Sequence, residues 1–104
     1  MSAAPQLGFN QKRVLVQHHE GGIPTVDQDS ITVWRGQDEI HWICDHPGKK
    51  FTIRFKKDSP FASGTFDETN YNSGPTLTGV RSGDFYYSVE IDGQINDPKV
   101  IVQP

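Results

Sequence analysis

The densest run of residues able to hold a metal is His41, Cys44 and His46. Thiolates and imidazoles are the ligands of zinc and of the softer transition metals. The spacing works against a shared ion. Residues 39–44 read as a strand, and successive strand side chains face opposite ways. His41 and Cys44 therefore point apart unless the strand ends or bulges between them. The competing expectation is a buried structural cysteine beside surface histidines. The tandem His18-His19 meets the same obstacle, because neighbours in a regular strand do not chelate together. One exposed and one partly buried imidazole are expected there.

Catalytic signatures are missing. The acid pairs Asp27/Asp29, Asp38/Glu39 and Asp67/Glu68 all fall in turn-rich stretches, where carboxylates ordinarily cap backbone amides. A general acid–base pair needs converging geometry and separated pKa values, and spacing supplies neither. No Gly-x-Ser-x-Gly elbow, Walker A loop or dinucleotide fingerprint occurs. The expectation is a protein that is not an enzyme and carries no cofactor.

Binding chemistry is better represented. Lys49, Lys50, Arg54, Lys56 and Lys57 form a basic cluster, and Arg54 and Lys56 project from one face of a strand. They fit an anionic partner, and they equally fit the lysines that protect an exposed strand from edge-to-edge pairing. Trp34, Tyr71 and Tyr86 are expected outside the core. Exposed aromatics can hold a sugar ring or anchor a protein interface, although single ones are common on any surface. The candidate binding residues are Trp34, Tyr86, Arg54 and Lys56.

Composition limits the partners. The chain of 104 residues fits one domain, expected as a lead-in over residues 1–11 and a β-sandwich over 12–104. A single Cys excludes an internal disulfide and suits a reducing compartment. The net charge of −3 lacks the basic footprint of nucleic-acid binding. No apolar run approaches the ~20 residues of a membrane-spanning helix. No signal peptide is visible, so the chain reads as cytoplasmic as written, or periplasmic or secreted if a signal has been removed. Ten Gly and seven Pro imply many turns and point to β structure.

The elements that must position these residues are short strands. Arg13–His18 places Val14 and Val16 on one face. Ser30–Arg35 and Glu39–Cys44 flank Gly36-Gln37-Asp38 and read as a hairpin. Phe51, Ile53 and Phe55 alternate with Thr52, Arg54 and Lys56, the former set inward. Residues 57–75 are irregular, with Phe61 and Phe66 expected to plug the core. Pro75–Gly79 reads as a further short strand. Phe85, Tyr87, Val89 and Ile91 face inward on the next, and Lys99–Val102 is the last, after Asp97-Pro98. About seven short strands at this spacing predict an all-β sandwich or barrel.

The order of elements resembles the cupredoxin-like family over residues 25–104. In that family an aromatic-rich strand opens with a copper-ligand His. Phe51-Thr-Ile-Arg-Phe55 matches it, and Phe51 stands in the His position. The family's last hairpin carries Gly-x-Tyr-x-aromatic-x-Cys, a loop with His and Met, and a valine-rich strand. Gly83-Asp-Phe-Tyr-Tyr-Ser-Val89, residues 90–97 and Val100-Ile-Val102 match it, with Val89 in the Cys position and no His or Met following. A blue-copper site needs a thiolate and two imidazoles, which Phe51 and Val89 do not provide. The resemblance thus implies an all-β Greek-key sandwich of about seven to eight strands, a copper-free scaffold whose former metal end is packed. The expected role is a binding module, with another protein as partner. The alternatives are a metal-binding or electron-transfer protein using His41, Cys44 and His46, or a carbohydrate-binding module using Trp34 and Tyr86.

Overall fold

Two-residue alternation is translated directly into sheets. The computed structural model describes residues 10–104. The expected lead-in lies outside the described residues over 1–9, and Asn10 and Gln11 already belong to the first strand. The described chain forms ten strands: β1 (Asn10–Gln17), β2 (Thr25–Val26), β3 (Ser30–Trp34), β4 (Asp38–Cys44), β5 (Thr52–Phe55), β6 (Thr65–Asp67), β7 (Asn72–Pro75), β8 (Gly83–Ile91), β9 (Gln94–Asn96) and β10 (Lys99–Gln103). No helix occurs among the described residues.

One sheet has the order β2-β1-β4-β7, and the other β3-β10-β8-β5-β6 with β9 beside the far end of β8. Each sheet mixes one parallel pair, β1 with β4 and β3 with β10, among antiparallel ones. The inward residues meet in one core. Val14, Val16, Ile40 and Trp42 come from the first sheet; Val33, Ile53, Phe85, Tyr87, Val89, Val100 and Val102 come from the second. All are essentially inaccessible to water. Burying each contributes on the order of 1.5–3 kcal/mol. Trp42 is the hub: the rings of Phe55, Phe61, Phe66 and Tyr87 lie 5.1–6.5 Å from it. Phe61 and Phe66 plug the core as expected, but residues 57–75 are not irregular throughout: they hold β6, which carries Phe66, and β7.

Four other sequence expectations need correction. The β3–β4 pair is not a hairpin. Gln37 N–H does close a turn onto the Trp34 carbonyl at 3.0 Å, yet β3 joins β10 and β4 joins β1 in the opposite sheet. The buried Asp38 makes the crossing: its Oδ2 accepts the Trp34 N–H at 2.7 Å. Residues 75–79 are not a strand either; β7 ends at Pro75. Thr76 is buried, with its Oγ1 accepting the Gly36 N–H at 2.6 Å and donating to the Trp34 carbonyl at 3.0 Å. Residues 90–97, matched to a loop, hold a tight hairpin. Asp92 and Gly93 both have positive φ, 52° and 80°, and Ile91 pairs with Gln94, which is the geometry of a two-residue type I′ turn. Finally, the described residues carry ten strands rather than seven or eight, because β2, β6 and β9 are too short to show periodicity.

Candidate functional site

The two groups of candidate residues separate into two places. The first is a cleft of about 320 Å³ where the sheets part, bordered by His41, Cys44, His46, Lys49, Phe51 and Tyr71 among others. Alternation along β4 holds as expected: Ile40 and Trp42 are buried while His41 and Ile43 lie half-buried on the other face. Both His41 and Cys44 nevertheless border the cleft. β1 pairs with β4 as far as Cys44, whereas on the other side β7 begins at Asn72, opposite His41, and the last bond is from the Trp42 N–H to the Tyr71 carbonyl at 3.0 Å.

The cleft does not gather these side chains into a metal centre. The His41 ring stacks on Tyr71, with centroids 4.5 Å apart, and its Nδ1 is buried without a partner. His46 turns away to Asp45, with Nδ1 to Oδ1 at 2.8 Å. The Cys44 Sγ is 3.9 Å from that same oxygen. Among the described residues no three His, Cys, Asp or Glu side chains converge as a metal site requires. The Asp45 carboxylate instead ties two strand ends together. Its Oδ1 also accepts the His18 N–H at 3.0 Å, and that bond, followed by the one from His46, holds its pKa below the ordinary value. His18 meets His46 edge to face at 5.1 Å, and His19 lies exposed with Nε2 2.8 Å from Thr25 Oγ1.

Beside the cleft, Phe51 and Val89 are buried in the core at 3% and 0% exposure. The register pairs Ile53 with Val89 and Thr52 with Glu90, so Phe51 enters the sheet next to the inward face of β8. The Glu68 carboxylate fixes this entry by accepting the Phe51 N–H at 3.1 Å. Two hydrocarbon side chains offer no lone pair to any cation.

Two further acids, Asp27 and Asp67, serve the backbone. Asp27 Oδ1 accepts the Leu15 N–H at 2.9 Å. Asp67 Oδ1 accepts from the Thr69 N–H, the Thr69 hydroxyl and the Asn70 N–H at 2.6–3.0 Å, and the two Thr69 bonds are the main cause of its lowered pKa.

The second place is the outer face of the larger sheet. Register puts Lys99 of β10 opposite Tyr86 of β8, and the Lys56 N–H donates to the Tyr86 carbonyl at 3.1 Å on the other side. The half-exposed Tyr86 ring (49%) thus lies between two lysines, with the Lys99 ammonium 5.8 Å from its centroid. Arg54 follows two residues from Lys56 on the same face, opposite Ser88. A groove of about 340 Å³ runs beside Tyr86 past Lys56, Lys57, Asp58 and Arg81. The Arg81 guanidinium caps the core end by lying 4.0 Å over the Phe85 ring. Tyr86, Lys56 and Arg54 are brought together.

Trp34 is not brought to them. It is also 49% exposed, but it sits opposite Gln103, four residues along β10 from Lys99. That is about 13 Å along the strand direction at ~3.3 Å per residue. Sequence reasoning missed Arg81 and Lys99 as neighbours of Tyr86. Their only signal is long-range register, which local alternation does not carry. Compared with protein-family models, curated proteins and solved structures, the chain finds no match in any of the three.

Proposed function

We propose that this protein is a copper-free, cupredoxin-like Greek-key sandwich that works by binding another protein through the outer face of its larger sheet. The observation that carries this is a division of labour between two regions. The positions where the resemblance calls for metal ligands hold buried Phe51 and Val89, while Tyr86, Lys56 and Arg54 share one exposed face. The Greek-key description is supported by the strand order: β3, β4 and β5 each lie in the opposite sheet from the strand before, and neighbours such as β1·β4 and β5·β8 are distant in sequence. Aromatic and arginine side chains are the usual anchors of protein interfaces. The backbone-capping role of Asp27, Asp38, Asp67 and Glu68 leaves no pair of carboxylates facing a common substrate position among them.

A photo-crosslinking side chain in place of Tyr86 tests this in native extract, with the same group in place of Gln28, exposed in the connection between β2 and β3, as control. A discrete protein adduct at position 86 and none at position 28 is expected. Equal labelling from both positions, or none from either, would end the proposal.

A further inference from the structure

Resting on that face as the binding surface, we infer that its partner presents an acidic peptide segment, one with closely spaced Asp or Glu side chains. The charge distribution points there. Arg54, Lys56, Lys57, Arg81 and Lys99 are five of the chain's ten bases, and they lie around Tyr86. The acids interleaved with them are three of the chain's thirteen, Asp58, Asp84 and Asp97. Elsewhere the chain has five bases against ten acids. A protein with net charge −3 thus concentrates a surplus of two positive charges on one patch.

The pairing pattern locates that surplus. Lys56 Nζ holds Asp97 at 2.9 Å, Arg81 Nε holds Asp58 at 3.4 Å and Lys99 Nζ holds Asp84 at 3.2 Å. All three acids are taken, and among the described residues Arg54 and Lys57 have no ion-pair partner. They flank Lys56 on the approach to the Tyr86 ring. Glu90 lies farther along the same face of β8, opposite Thr52, and bounds the patch on that side. Two free cations beside a half-exposed aromatic ring fit two carboxylates and an apolar contact from an acidic strand or loop. Such rim charges act chiefly on encounter rate and salt dependence.

The probe is N-acetyl-octaglutamate, followed by amide chemical shifts of the full chain. Shifts are expected at Arg54, Lys56, Lys57, Tyr86 and Lys99. Affinity should weaken by about fivefold between low and physiological salt as the charges are screened. The double variant R54E/K57E should lose binding by about tenfold, with an unchanged spectrum elsewhere showing that it folds, whereas R13E on the other sheet should bind as before. Shifts confined to other residues, or no shifts at low salt, would overturn the inference. So would a sulfated oligosaccharide that binds the patch more tightly than octaglutamate. The two claims fail separately. A crosslinked partner at position 86 that octaglutamate does not displace leaves the binding face standing and removes the acidic segment. Octaglutamate binding without any protein adduct does the reverse.

Discussion

Asp38 Oδ2 accepts the backbone N–H of Trp34 at 2.7 Å, and through this bond a carboxylate from one sheet caps the free edge of the other. β3 is an edge strand that pairs only with β10. Lys12 completes the cover: its Nζ donates to the Thr32 carbonyl at 2.7 Å and lies 3.7 Å from Asp38 Oδ2. Exposed edges of this composition invite pairing with another chain, and here side chains occupy the groups that would pair.

Asp38→Ala should therefore destabilise the fold by about 2 kcal/mol, the scale of losing a buried hydrogen bond to a charged group. It should also promote aggregation through β3. Urea unfolding and light scattering check both effects. A loss below about 0.5 kcal/mol, the range of ordinary surface substitutions, would show that the cap is dispensable.

Acid sensitivity follows from carboxylates with lowered pKa values. Asp45 is held down mainly by the His18 N–H, and Asp67 mainly by Thr69. A folded pKa below the unfolded one, about 3.9 for Asp, gives stability that is present above the unfolded value and is lost as pH falls through the folded value. Stability should thus decline with acidification below about pH 4. Asp45→Asn should be less stable than wild type at neutral pH and should show a shallower acid limb. Parallel acid limbs for the two proteins would contradict the assignment.

Tyr87 gives the opposite limb. Desolvation raises its pKa to about 12, against the weaker opposing bond from the Trp42 indole. The unfolded phenol releases its proton near pH ~10 and the folded one later, so this contribution is complete below the unfolded value and is lost as pH rises toward the folded one. The chain has three Tyr. Absorbance titration should show one phenol ionising late, and Tyr87→Phe should remove that late step along with part of the alkaline loss of stability. A late step that survives in Tyr87→Phe, or none in the wild type, would contradict it.

The Asp92-Gly93 turn offers a test free of packing effects. A Cβ at Gly93 would meet nothing within 4 Å, while its φ is +80°. Gly93→Ala should cost about 1–2 kcal/mol from backbone conformation alone. An unchanged midpoint in urea would mean that β8 and β9 do not need this turn.

Legibility in the sequence followed the range of the interactions involved. The strands β5 and β8 could be read because each alternates over several residues, and their inward sets are all buried in the structure. The β3–β4 hairpin misled, because alternation and a Gly36 turn describe a local reversal without saying which sheet each strand will join. A buried Asp38 decides that. The β8–β9 hairpin carries its own signal, Asp92-Gly93 with Ile91 and Ile95 on either side of it, which a match of residues 90–97 to a loop passes over. At the candidate site, the exposure of Tyr86, Arg54 and Lys56 followed from periodicity. Their union with Arg81 and Lys99 did not, since it depends on the pairing of β8 with β10. Likewise, His41 and Cys44 share a cleft whose other walls, Phe51, Glu68 and Tyr71, come from distant stretches of chain.

The central claim is that hydrocarbon side chains, Phe51 and Val89, occupy the corner where the resemblance calls for metal ligands. The most direct measurement is a copper(II) titration of the full chain, followed by melting temperature and by paramagnetic broadening of amide signals. No copper-dependent rise in Tm is expected, and broadening should be limited to the surface around His18, His19 and His46. A stoichiometric rise in Tm, with broadening centred on residues 51 and 89, would contradict it.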